Sequence, residues 1–220
     1  MSVDEAIRRR RSVRGFRPEG VPEATMREVF ELAQWAPSNC NVQPWTPHVV
    51  SGEALQRLRD ALVDAGMRDE PIRPDWPADG KFTDVYRERQ VDAAQRLYGA
   101  MGVERRDAVG RKMAYIRNHA FFDAPHAVFV FMPEPFDTRE ATDIGMYAQT
   151  LMLALTARGI GSCAQGALGL FPHIVREHLG IPANYKLLFG VSFGYEDAGV
   201  KANAARVGRA NLDDAVRFHR

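Results

Sequence analysis

Residues Ala124 to Met132 read APHAVFVFM, an almost unbroken apolar run punctuated by Pro125 and closed by Pro133. A strand with one wet face alternates apolar and polar side chains, so a run without alternation belongs to a strand covered on both sides. That feature demands a sheet with cover above and below it, and it predicts this strand at the sheet centre. Helical cover follows in the chain. Ala141 to Arg158 spaces Ile144, Ala148, Leu151 and Leu155 to face a core, is apolar nearly all round, and meets Gly159 as a stop. A helix is predicted over Pro172 to Leu179, ended by Gly180, and a second buried strand over Lys186 to Phe193. With 220 residues, 45% of them hydrophobic, the chain can bury most of its apolar surface as one domain over 1–220 without disulfide staples.

Upstream, Ser2 to Arg10 reads as a short helix, with Ser2 as its cap and Glu5 three residues on. Glu23 to Trp35 repeats apolar residues at Met26, Val29, Phe30, Leu32 and Ala33 until Pro37 ends the helix. Pro44 to Val50 is predicted as a strand and Glu53 to Ala65 as an amphipathic helix. From Gly66 to Asn118 charges crowd together, Pro71, Pro74 and Pro77 interrupt the backbone, and Val85 to Tyr98 reads as a polar helix. We expect 66–118 to be an insertion or lid, a plain solvent-facing excursion being the alternative. Its Trp76, Phe82, Tyr86, Tyr98 and Tyr115 either cover a ligand or anchor the excursion. In the first case its arginines at 87, 89, 96, 105, 106, 111 and 117 would favour anionic aromatics.

Lys plus Arg number 29 against 28 for Asp plus Glu, so no chain-wide field draws the protein to nucleic acid or an anionic membrane, and any anion must be met locally. No stretch approaches the ~20 apolar residues of a membrane helix, and the N-terminus lacks the apolar core of a signal peptide. Cys40 and Cys163 are isolated and in unlike contexts, which fits a reducing cytoplasm better than a disulfide scaffold or a zinc site. There is no GxxxxGK[ST], HExxH or GxSxG, and the six histidines show no metal-ligand spacing. Phosphoryl transfer on a P-loop, zinc hydrolysis and α/β-hydrolase chemistry lose support.

Three stretches carry chemistry. Arg8 to Arg11 with Arg14 sets five arginines within seven positions around Ser12: either a grip for one phosphate or a solvated basic cap on a helix end. Ala36 to Trp45 packs Ser38, Asn39, Asn41 and Gln43 between prolines: either donors and acceptors for a flat polar heterocycle, or a helix-to-strand turn. Gly159 to Gly169 is too widely spaced for a dinucleotide fingerprint, but its glycines would let backbone amides approach the edge of a ring.

Taken in order, RRSVRGF over 10–16, APSNCNVQPW over 36–45, GIGSCAQGALG over 159–169, and Arg206-x-x-Arg209 ahead of Asn211 to Val216 resemble the FMN-dependent nitroreductase family of oxygen-insensitive NAD(P)H enzymes. The resemblance covers roughly 2–62 and 120–218. It implies an α+β three-layer fold, with a mixed, mainly antiparallel sheet between helices, in an interwoven homodimer holding FMN at the subunit interface. By position it assigns Arg10, Arg11, Ser12 and Arg14 to the flavin phosphate and the ring's polar edge. Pro37, Ser38, Asn39, Asn41 and Gln43 form the loop that reaches the flavin, commonly from the partner subunit. The backbone of Gln165 and Gly166 lies near flavin N5, and Arg209, with Arg206 as second choice, is the C-terminal phosphate arginine. It implies ping-pong exchange from NAD(P)H to a small aromatic acceptor such as a nitroaromatic or quinone, with no catalytic side chain and no metal required. A reductive dehalogenase, a flavin-cleaving enzyme and a flavin-binding module of low turnover stay open as alternatives.

Overall fold

The computed structural model describes residues 1–77 and 80–220; Ala78 and Asp79, inside the 66–118 segment, lie outside the described residues. Four strands, β1 Thr46–Ser51, β2 His126–Pro133, β3 Gly161–Gln165 and β4 Tyr185–Gly194, form one sheet in the order β1-β2-β4-β3. All three ladders are antiparallel. The parallel element expected of a mixed sheet is a single bridge from Ser12 to Ser162 on the outer edge of β3.

β2 is the apolar run, and it is interior as expected. Its side chains divide by parity: Ala127, Phe129 and Phe131 join one core, Val128, Val130 and Met132 the other. Period-2 geometry therefore builds both cores from one strand. The first core is closed by α3 Gly52–Met67 and α7 Pro172–Leu179, the second by α2 Glu23–Ala33 and α6 Thr138–Ala157. The result is a three-layer α+β arrangement.

Local signals set the ends of these elements. α1, Val3–Arg9, carries a capping box: the Glu5 N–H donates to Ser2 Oγ at 3.2 Å and the Ser2 N–H to Glu5 Oε2 at 2.9 Å. Asp137 and Glu140 do the same for α6. α7 begins with Pro172 and ends at Gly180, whose φ of 64° is the left-handed cap that glycine adopts without strain.

The 66–118 segment divides into parts of different character. Gly66 is buried inside α3. Residues 70–77 form a strap tied to the body: Arg176 ion-pairs with both oxygens of Asp75, the Leu187 N–H donates to Asp75 Oδ2 at 2.8 Å, and the Arg73 N–H donates to Leu170 O at 3.1 Å. α4, Asp84–Met101, buries no residue fully. α5, Ala108–His119, is absent from the sequence reading; it packs on α3 through the buried Ile116 and His119. Its apolar stripe is thin and its remaining residues are charged or small, so periodicity did not reveal it. On α2, Leu32 is exposed although its spacing places it with the apolar face. A four-residue helix, α8 Leu212–Ala215, lies in the exposed tail.

Candidate functional site

The segment after α1 runs along the outer edge of β3. The Val13 N–H donates to Ser162 O at 2.9 Å, and this bridge brings the arginine-rich run beside the glycine-rich one. Extended backbone sends alternate side chains opposite ways. Val13 and Arg11 go inward and toward the C-terminal region: Val13 is buried, and Arg11 ion-pairs with both oxygens of Glu196 and donates to Asn203 O at 3.1 Å. Arg10, Ser12 and Arg14 take the other side, within electrostatic reach of Cys163. Burial pushes the Cys163 thiol up, against the pull of Arg14, Ser12 and Arg10.

Arg209 comes from the far end of the chain to stand near Arg10. Burial lowers the Arg10 pKa, and the like charge of Arg209 lowers it further. Among the described residues Arg10, Arg14 and Arg209 have no ion-pair partner. Guanidiniums that lie close without a carboxylate between them repel one another, and an anion would relieve that repulsion. Arg206 is spent locally, donating to Asn203 O at 2.7 Å and Ala205 O at 3.0 Å. Arg209 too donates to nearby backbone, from Nη1 to Val207 O at 3.3 Å and Gly208 O at 2.9 Å. Of the residues singled out from sequence, the structure brings Arg10, Ser12 and Arg14 to Cys163 and Arg209 near Arg10, and it places Arg11 on Glu196 and Asn203.

The arginine run lies alongside β3 at Ser162 and Cys163, and β3 ends two residues on at Gln165. Gln165 is buried and its amide is fully engaged: Nε2 donates to Asn118 O at 3.0 Å, and Ser192 Oγ donates to Oε1. Only its backbone remains for a ligand. Gly166 follows, exposed, and a Cβ there would meet no heavy atom within 4 Å. Gly15 differs, since a Cβ would lie 2.5 Å from Val200 and the two backbones could not approach.

The loop Pro37 to Gln43 is exposed. Cys40, Asn41 and Gln43 take φ of 49°, 57° and 48°, a left-handed conformation costly for residues with side chains. It is held by the Asn39 N–H donating to Asp143 Oδ2 at 3.0 Å, the Gln43 N–H to Ser38 Oγ at 3.0 Å, and Gln43 Nε2 to Asn41 O at 3.0 Å. None of these bonds reaches the arginine group.

Several supporting residues escaped the sequence reading. Asn203 accepts the Arg14 N–H at 2.6 Å and donates to Gly15 O at 2.8 Å and Asp197 O at 2.9 Å, sewing two segments that lie 188 positions apart. No local pattern marks it. Asp143 carried a readable signal: a carboxylate one turn before Tyr147, on the core face of an apolar helix, where it is buried. Among the described residues no group of three or more His, Cys, Asp or Glu could hold a metal ion, and no helix is long and apolar enough to cross a membrane.

The chain belongs to the nitroreductase family, whose profile matches residues 7–195. Among individual proteins, nitroreductase NfnB of Mycolicibacterium smegmatis is 47% identical over 221 residues, covering 100% of this chain and 93% of that protein. A 4-nitrobenzoate reductase of Nocardioides sp. is 35% identical over 224 residues, covering 99% and 90%. The crystal structure of the FMN-dependent nitroreductase NfnB from Mycobacterium smegmatis in complex with NADPH matches with a TM-score of 0.94 at 46% identity, covering 100% of both chains.

Proposed function

We propose that the chain is an FMN-dependent oxidoreductase that takes electrons from NAD(P)H and passes them, in alternating turns, to nitroaromatics, quinones or similar small aromatic acceptors. Residues 1–220 act as one domain, with 66–118 as its variable insertion. One observation carries this reading: Arg10 stands near Arg209, and Arg10 and Arg14 both act on Cys163 of β3, two positions before Gln165, with none of the three arginines ion-paired among the described residues. An FMN phosphate bears nearly two negative charges, and such a donor set suits it. When bound, the flavin supplies the two-electron chemistry.

The chain's own residues bind and orient. Arg10 and Arg209 neutralise the phosphate, Ser12 adds a hydroxyl, and Arg14 serves the polar edge of the ring. Gln165, fixed by Asn118 and Ser192, sets the position of the backbone amide that Gly166 leaves accessible. Pro37, Ser38, Asn39, Asn41 and Gln43 complete the site of a second copy in a homodimer. In support, the loop's bonds stay clear of the arginine group of its own chain, and Trp35 at its base is 86% exposed. Val3 and Ile7, one turn apart on α1, are also exposed, as is Phe218 in the tail. Free Cys40 and Cys163 suit a cytoplasmic setting.

Purified FMN-loaded protein, titrated anaerobically with NADPH or NADH, is expected to lose its yellow absorbance and regain it on addition of nitrobenzene. A flavin that neither nucleotide bleaches would overturn the enzymatic reading. Arg10→Ala is expected to weaken FMN by about 1.5–3 kcal/mol, roughly 10- to 150-fold, as read by quenching of flavin fluorescence. Unchanged affinity would remove Arg10 from the phosphate site.

A further inference from the structure

Between α4 and α5 lies a cleft of about 200 Å³, lined by Arg14, Leu97, Tyr98, Tyr115, Arg117 and Phe122 among others. Among the described residues, no carboxylate lines it. Arg117 uses Nη2 to donate to Arg14 O at 3.3 Å and to Asp123 Oδ2 at 3.0 Å, leaving its Nε and Nη1 without a partner among the described residues. Asp123 is exposed, so its hold on that charge is screened by solvent. Arg111, outside that lining, holds its guanidinium 5.9 Å from the Tyr98 ring.

The backbone beneath is held in a costly shape. Phe121, Phe122 and Asp123 have φ of 56°, 53° and 67°, a conformation that bulky residues rarely adopt and that costs about 1–3 kcal/mol each. This turn sets Phe122 in the cleft wall and Asp123 against Arg117. An apolar cavity of about 150 Å³ admits benzene. A cleft of this size and lining takes one substituted aromatic ring.

We infer that the α4–α5 cleft selects acceptors bearing a carboxylate on an aromatic ring, with the ring against Tyr98, Tyr115 and Phe122 and the carboxylate on the free edge of Arg117. The inference rests on the nitroreductase reading for its link to turnover, and on the cleft alone for binding. It makes Arg117 a determinant of acceptor choice.

The test uses the FMN-loaded enzyme. Benzoate, which carries no nitro group, reports binding by calorimetry, and kcat/KM with NADPH is measured for 4-nitrobenzoate and nitrobenzene. Arg117→Gln is expected to weaken benzoate at least tenfold, and to lower kcat/KM for 4-nitrobenzoate at least tenfold more than for nitrobenzene, with partial recovery in Arg117→Lys. Ala114→Leu, which fills the cleft without altering either arginine, should also weaken benzoate, and it decides the matter if Arg117→Gln does not fold. Equal losses on the two nitroarenes, or benzoate binding indifferent to these variants, would overturn the inference. Benzoate binding that responds to them in an enzyme reducing neither nitroarene would support the cleft and overturn the nitroreductase reading instead.

Discussion

His119 is fully buried at the end of α5, and neither ring nitrogen has a hydrogen-bond partner among the described residues. Tyr115 and Phe171 meet its ring at 5.0 and 5.4 Å. Burial pushes its pKa down from 6.5 to about 4. Below pH 6.5 the unfolded chain accepts a proton that the folded chain refuses, so stability is whole above that pH and falls by up to about 3 kcal/mol as pH approaches 4. His126, also lowered by burial, acts in the same direction. His119→Phe is expected to flatten this acid loss, read as denaturant midpoints between pH 7.5 and 5; parallel slopes in parent and variant would clear His119 of it. At this scale the sequence was legible in part. Five arginines stood out, but their spacing already separates them: Arg10, Ser12 and Arg14 share one side of an extended backbone, and Arg11 with Val13 the other. What could not be read was that Glu196 and Asn203 wait for Arg11 nearly two hundred residues away.

Elements with a clear apolar pattern of their own were readable, and the one without it was not. β2 declared itself through lack of alternation, α7 through Pro172 and Gly180, and α1 through its capping box. α5 has a side-chain cap at Asp107, but its burial comes from α3, which local periodicity does not see. The question whether the aromatics of 66–118 line or anchor has different answers along the segment. Trp76 packs on the second core with Lys186 over its ring, whereas Tyr98 and Tyr115 face the cleft. α4 is the part whose removal should spare the fold, because none of its side chains is fully buried. Replacing Asp84–Met101 by a short Gly/Ser linker is expected to preserve cooperative unfolding and FMN binding while flattening the ranking of acceptors in steady-state assays. An unchanged ranking would make α4 ordinary surface.

On the scale of the whole molecule, apolar side chains remain uncovered where regular structure should have hidden them. Val3 on α1 and Phe218 in the tail are each 71% exposed, Leu212 is 62% exposed, and the tail from Arg206 onward is exposed throughout. A second copy packed over α1 and the tail would cover them. The protein is expected to sediment as a dimer whose thermal midpoint rises with added FMN, and a chain ending at residue 210 to sediment as a monomer with weakened flavin retention. A full-length monomer saturated with FMN would overturn this. The sewing of Arg11, Arg14 and Gly15 to Glu196, Asp197 and Asn203 also bears on how the protein is made. Arg209 stands near Arg10 only once the far end of the chain has come back, and β4 must pass between two strands earlier in the sequence. A partly made chain that stops short of β4 therefore lacks the strand that joins β2 to β3, and the edge on which Ser12 pairs with Ser162 has no sheet to rest on.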